Sequence, residues 1–143
     1  MASFLDILDR PATEIKAPEA FPVGPYHAMV DGPPEPGKSS KKQTDFLKFK
    51  FRILKALEGV DQAKALEQQV VGKIVTQDYY IVDSSVWRLK ELLADHLGID
   101  PANKSMREML AEAPGQQLIV KIRHDISDDG KRTFHKIDST AHV

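Results

Sequence analysis

Residues 46–54 read FLKFKFRIL, and this stretch decides the fold because it has the clearest repeating pattern in the chain. Hydrophobic residues occupy every second position: Leu47, Phe49, Phe51 and Ile53. Successive side chains of a β-strand point to opposite faces, so this period of two predicts a strand with one face in a hydrophobic core. The strand is expected to span about residues 44–56. Its other face would carry an aromatic ring and three cations: Phe46, Lys48, Lys50 and Arg52.

Four further segments have the composition of strands, at residues 26–31, 70–82, 116–126 and 133–140. Between the third and fourth strands we expect a helix that ends at Gly98, and a shorter one after Ser105, which has capping-box spacing to Glu108. Residues 32–43, rich in Pro, Gly and Lys, are predicted to form a mobile loop, and residues 57–69 a loop or short helix. The order β-β-β-α-β-β predicts a mainly β protein, a five-stranded antiparallel OB-fold-like barrel with a helix between strands 3 and 4.

The length of 143 residues fits one domain, which we place at residues 22–143. Residues 1–21 are expected to be an N-terminal arm, with a short helix before Pro11. Two positions are open for this arm: on its own domain, or on a neighbouring subunit of a homo-oligomer.

The amino-acid composition limits the cellular compartments and the kinds of covalent or metal site that are possible. There is no cysteine, which excludes disulfides and thiolate metal sites and fits a reducing compartment. The N-terminal sequence lacks the pattern of a signal peptide, and no stretch approaches the roughly 20 apolar residues of a membrane helix. We therefore expect a cytoplasmic protein without a membrane partner.

The net charge of −1 conceals a strong asymmetry. Residues 38–55 contain seven Lys and Arg residues and one acidic residue, Asp45, so this window carries +6 and the rest of the chain −7. A local field of this kind attracts anionic ligands irrespective of the total charge. The alternative is a lysine-rich loop followed by a solvated strand face.

The exposed strand face is a candidate for binding single-stranded nucleic acid. Cations two residues apart on a strand are roughly 6.5–7 Å apart, which is close to the phosphate repeat of an extended strand, and exposed aromatic rings stack on bases. One of Tyr79 and Tyr80 must point outward, and we favour Tyr79. The predicted nucleic-acid-binding residues are Lys41, Lys42, Phe46, Lys48, Lys50, Arg52, Tyr79, Lys121 and Arg123. Structural roles are the alternative: Phe46 could instead cover the barrel end or contact the arm, and the second basic pair, Lys121 and Arg123, could merely solvate its strand.

Signatures of catalysis are mostly missing. The chain contains no P-loop, GxGxxG, HExxH or GxSxG motif, and its five histidines lack the spacing of metal ligands. His124 and His135 could face each other across the last hairpin, which a polar pair explains better than a metal. Asp78, Asp83 and Asp125 could converge on Mg²⁺ in a nuclease. Structural roles are sufficient explanations for the carboxylates, however, because Asp83 also fits a helix cap and Asp128 and Asp129 fit a turn. We therefore expect no enzyme, no metal and no cofactor.

Several segments together resemble phage-encoded single-stranded DNA-binding proteins: a YxAxV first strand, GKSSKKQTDFLKFKFRI, WRLKELLADHLGID and GQQLIVKIRHDISDDGKRTFHKID. The resemblance covers about residues 22–140. It implies an OB-fold and the coating of unwound DNA during replication or recombination in the host cytoplasm. Many such proteins recruit replication or recombination proteins through an acidic tail, whereas this sequence ends DSTAHV, so recruitment would use another segment. The rival hypotheses are a small virion component and, third, the metal nuclease.

Overall fold

The structure is a computed structural model that describes residues 8–12 and 19–143. Most of the helix predicted before Pro11 lies outside the described residues. Residues 19–143 are mainly β, as predicted. Its six strands are β1 (Gly24–Val30), β2 (Glu35–Lys38), β3 (Asp45–Ala56), β4 (Ile74–Tyr80), β5 (Gln117–Ile126) and β6 (Thr133–Ala141).

All strands belong to one antiparallel sheet with the order β2-β3-β1-β5-β6, and β4 pairs with the other edge of β3. Strand β3 is long enough to pair with β4 along one edge and with both β1 and β2 along the other. Within residues 19–143, β4 and β6 each pair with a single strand and no backbone ladder joins them. The sheet therefore does not close into the expected barrel by backbone pairing.

The prediction that residues 32–43 form only a mobile loop is wrong for part of this segment, because Glu35–Lys38 form β2. Strand β2 pairs with the start of β3 and the turn is closed by a hydrogen bond from Ser39 N–H to Thr44 O of 2.9 Å. Its sequence, EPGK, hides the strand because Pro and Gly are poor strand formers. Both residues are tolerated in a strand at the edge of a sheet.

Three helices connect the strands: α1 (Gln62–Glu67), α2 (Val86–Glu91) and α3 (Met106–Glu112). Helix α2 continues into one π-helical turn, Leu92–His96, and Gly98 follows with φ +73°. The Ser105 side chain accepts a hydrogen bond from the Glu108 N–H and caps α3. Both predicted helices are thus confirmed. Within the described ranges, no helix is long and apolar enough to cross a membrane.

The core lies between the inner face of the sheet and α2. Phe49, Phe51 and Ile53 of β3 are fully buried and Leu47 is partly buried, which confirms the predicted inner face. Burying one such side chain stabilises the fold by about 1.5–3 kcal/mol. Fully buried residues from other elements include Tyr26, Ala28 and Val30 of β1, Leu93 of the π-helical turn after α2, Ala113 after α3, and Leu118 and Val120 of β5.

Candidate nucleic-acid interface

The outer face of β3 and β4 is set by their register. Phe46 is opposite Tyr80, Lys48 opposite Asp78, and Lys50 opposite Thr76. Directly opposed residues of an antiparallel pair share one face of the sheet. The outer aromatic residue of β4 is therefore Tyr80, whose side chain is 44% exposed.

The prediction that Tyr79 faces outward beside the cations is wrong. Tyr79 is opposite Leu47 on the inner face, and its ring makes an edge-to-face contact with Phe49, with centroids 5.3 Å apart. Burial raises the pKa of Tyr79 to about 12; the negative charge of Glu91 adds to this effect, whereas a hydrogen bond to Thr140 opposes it. Tyr79 therefore belongs to the core rather than to a binding surface.

Phe46 is half-buried between two neighbours. Its ring meets Tyr80 edge-on, with centroids 6.0 Å apart and planes at 70°. The ring also lies directly over Gly37 of β2, where an added Cβ would be only 2.6 Å from Phe46 Cζ. Phe46 thus supports the more accessible ring of Tyr80.

The cation ladder of β3, defined as Lys48, Lys50 and Arg52, faces outward as predicted, but two of its members are in ion pairs. Lys50 Nζ lies 2.6 Å from Glu35 Oε1, and Arg52 lies 3.2 Å from Asp31 Oδ1. The hydrogen bond with Glu35 raises the pKa of Lys50 and lowers that of Glu35. Both carboxylates come from outside the basic window of residues 38–55, so the local field is weaker than the sequence predicted.

Lys48 differs from the other two members of the ladder. It is half-buried and lies between two acidic cross-strand neighbours, Glu35 on β2 and Asp78 on β4. Within the described part of the chain it is in no ion pair. Among the three members of the ladder, Lys48 is therefore the one whose ammonium group is outside an ion pair with any described residue.

Two grooves meet at Tyr80. The turn groove, of about 520 Å³, is lined by Lys41 and Lys42 of the β2–β3 turn and by Val82. The gap groove, of about 480 Å³, lies between β4 and β6 and is lined by Lys48, Asp78, Arg123, His135 and Lys136. Tyr80 lines both grooves. Cations from three separate parts of the fold therefore line two grooves that share Tyr80.

The cations of the β5–β6 hairpin are partly neutralised. Asp125 accepts Arg123 at 2.7 Å and Lys136 at 2.9 Å, and Arg123 also lies 3.7 Å from Asp138. The hydrogen bond from Lys136, followed by the charge of Arg123, lowers the pKa of Asp125. In contrast, the exposed Lys121 neighbours Pro25 and Ser139 and lines neither groove.

Five of the nine predicted site residues thus lie at or beside the two grooves: Lys41, Lys42, Phe46, Lys48 and Arg123. Lys50 and Arg52 share the face but are in ion pairs, Tyr79 is inside, and Lys121 is elsewhere. Sequence reasoning missed Tyr80 and Lys136. The adjacent tyrosines were a signal for Tyr80, but only the strand register chooses between them, and Lys136 has no signal in the sequence.

The structure also shows where the acidic residues and histidines considered for metal binding lie. Within residues 8–12 and 19–143, no group of three or more His, Asp or Glu side chains is positioned to hold a metal ion. His124 and His135 are directly opposite each other on β5 and β6, as expected. Both bind the backbone of Phe21.

No protein-family model matches this chain, and a search of curated proteins finds no match. The resemblance to phage-type single-stranded DNA-binding proteins therefore stays a prediction. The function must be argued from the charges, rings and grooves of the chain itself.

Proposed function

We propose that this protein binds single-stranded DNA without catalysing a reaction, and that it coats unwound strands during phage DNA replication or recombination in the host cytoplasm. One observation carries the proposal: the exposed residue Tyr80 lines two grooves, one of which is also lined by Lys41 and Lys42 and the other by Lys48. A ring for bases next to cations for phosphates is the general arrangement of single-strand binding surfaces. Tyr80 replaces Tyr79 in this site.

The strand pairing supports an OB-fold-like assignment. Leaving out the short β2, the five remaining strands are those expected, with β1 between β3 and β5 and with helices between β4 and β5. The partly open OB-fold barrel binds oligonucleotides on its second and third strands and on the loops after its first and fourth strands. Here these elements correspond to β3, β4, the turn at residues 39–44 and the β5–β6 hairpin. The candidate grooves lie among these elements.

The test is the affinity for a fluorescently labelled oligo(dT), measured by anisotropy over a series of salt concentrations. About four phosphate contacts predict a slope of log K against log salt of about −2.8, so that a fourfold rise in salt weakens binding roughly fiftyfold. Absence of binding at low salt would overturn the proposal and favour a virion component. Cleavage of the oligonucleotide that requires Mg²⁺ would favour the nuclease.

A pair of triple variants tests the site separately from the function. Lys41→Ala/Lys42→Ala/Lys48→Ala removes three cations at the grooves. The control, Lys64→Ala/Lys90→Ala/Arg107→Ala, removes three exposed cations from the helices. We expect the first variant to lose most of its affinity and about two units of salt slope, and the control to retain both. Equal losses in the two variants would contradict this site.

A further inference from the structure

The strap, defined here as Phe21 and Pro22, is held against the β5–β6 hairpin by two histidines. The backbone N–H of Phe21 donates to His135 Nδ1 at 3.1 Å, and the carbonyl oxygen of Phe21 accepts from His124 Nε2 at 2.6 Å. The rings of Phe21 and His135 are stacked, with centroids 4.0 Å apart and planes at 10°. Phe21 is only 6% exposed, so this contact buries a large hydrophobic side chain far in sequence from its partners.

These hydrogen bonds specify the protonation of both imidazoles. Nδ1 of His135 can accept a hydrogen bond only when it carries no proton, so His135 must be neutral, with its proton on Nε2. His124 must carry a proton on Nε2 to donate to the carbonyl. A proton added to His135 Nδ1 would face the Phe21 N–H, donor against donor, and the hydrogen bond would be lost.

We propose that the strap is a pH-sensitive device: the neutral form of His135 keeps Phe21 docked on the hairpin, and protonation of His135 in mild acid releases it. The second anchor of the strap, the Tyr26 hydroxyl that donates to Pro22 O at 2.6 Å, does not titrate in this range. Release therefore concerns Phe21, while Pro22 stays anchored.

The surroundings of His135 set the pH at which it releases the strap. His135 lines two grooves, whose other titratable or charged residues are Glu19, Lys64, His124, Lys131 and Arg132 in one and Lys48, Asp78, Arg123 and Lys136 in the other. Of these, Arg123 and Lys136 are both paired with Asp125. Burial, followed by the charge of His124, lowers the pKa of His135. We therefore expect release below the ordinary histidine value of about 6.5.

Release would change two surfaces at once. The residues around Phe21, including Glu19, Ala20 and Pro22, form one wall of a groove of about 660 Å³ that Phe134 and Arg132 also line. Freeing Phe21 opens this wall and exposes its ring. Protonated His135 also adds positive charge to the gap groove.

The experiment follows hydrogen exchange of the Phe21 amide by NMR between about pH 7.5 and about pH 5, across the range in which histidine titrates. The internal reference is the amide of Phe51 in the core of β3. We expect the protection factor of Phe21 to fall on the order of tenfold in acid, with the midpoint at which His135 protonates, while that of Phe51 is unchanged. A Phe21 amide insensitive to pH, or one that follows Phe51, would overturn the proposal.

Matched variants separate the switch from general acid effects. In His124→Gln/His135→Asn, the amide groups still offer a donor and an acceptor but do not titrate, so Phe21 should stay protected in acid. In the control His27→Gln, which alters a histidine of β1 that binds Gln117 of β5 and not the strap, acid release should persist. Acid release in the double variant contradicts the proposal. If Phe21 is already unprotected at neutral pH in the double variant, the titration of the wild type tests the proposal instead. In the wild type, a difference between the pH midpoint of His135 protonation and that of the loss of Phe21 protection would also contradict the proposal.

Discussion

Lys50 Nζ lies 2.6 Å from Glu35 Oε1, so the central cation of the β3 ladder is paired with a carboxylate from the edge strand β2. Glu35 is also the cross-strand neighbour of Lys48. One acidic side chain therefore offsets positive charge at two adjacent positions of the ladder. If the proposed DNA contact is correct, Glu35 competes with phosphate for these cations.

Replacing Glu35 with Gln should therefore tighten the binding of single-stranded DNA. The amide keeps the shape of the side chain but removes the charge, which frees Lys50 and leaves Lys48 with one acidic neighbour. We expect the affinity for oligo(dT) to rise several-fold at low salt and the salt slope to steepen by about 0.7, the value for one additional phosphate contact on a single strand. Anisotropy over a salt series measures both quantities.

The control for this prediction is Glu58→Gln, which makes the same change of charge at an exposed site after β3. It should have a smaller effect than Glu35→Gln. An equal gain in the two variants would mean that total charge, rather than release of Lys50, controls the affinity.

Tyr80 should be the main stacking residue. We expect Tyr80→Ala to weaken binding by about 1–3 kcal/mol, the range measured for base stacking on aromatic side chains, and Tyr80→Phe to retain most of the affinity. Phe134→Ala is a matched control because Phe134 has nearly the same exposure, 45% against 44%, but lines neither the turn groove nor the gap groove. Equal losses for Tyr80→Ala and Phe134→Ala would argue against a site centred on Tyr80.

Strands and helix ends could be predicted from the sequence where the local pattern of one segment was enough to specify them. The alternation from Leu47 to Ile53 specifies both the strand and its buried face, and the Ser105 cap and Gly98 specify the ends of helices. Strand β2 could not be predicted, because its partner β3 supplies the hydrogen bonds that its own sequence does not favour. Whether β4 meets β6 depends on the curvature of the sheet, which no single segment determines.

The candidate site was less predictable, because its properties come from pairs of distant residues. The positions of the cations followed from the strand period, but their ion pairs with Asp31 and Glu35 depend on how β1 and β2 lie against β3. In the same way, a shift of one residue in the register of β4 would exchange Tyr79 and Tyr80. Tertiary pairing, rather than local pattern, selects the residues that a ligand can reach.

The contact between Phe46 and Gly37 should be sensitive to a single methyl group. Gly37→Ala places a Cβ 2.6 Å from Phe46 Cζ, so the ring must move away from β2. We expect the free energy of unfolding to fall by about 1–3 kcal/mol, as for other overpacked sites, as measured by urea denaturation.

A double-mutant cycle checks the cause of this loss. In a Phe46→Leu background the smaller side chain can accommodate the methyl group, and Gly37→Ala should then cost clearly less. If the cost is the same in both backgrounds, the strain arises from the backbone of β2 and not from the ring.

Ionisation of buried tyrosines should limit stability in alkali. Burial raises the pKa of Tyr79 from 10.0 to about 12. The pKa of Tyr79 is higher in the folded chain than in the unfolded chain. The contribution of neutral Tyr79 to the free energy of unfolding is therefore fully present below about pH 10 and is lost as the pH rises through about 12. This contribution amounts to at most about 3 kcal/mol for a shift of that size.

The variant Tyr79→Phe tests this prediction because it removes the ionisable group. It should lose less stability than the wild type between these two pH values, and its tyrosinate absorbance should lack one late step. Tyr26, whose pKa burial also raises to about 12, retains its own late step in both proteins. An identical alkaline loss in the two proteins would show that Tyr79 ionises equally readily in the folded and unfolded chains, which its contact with Phe49 in the core should prevent.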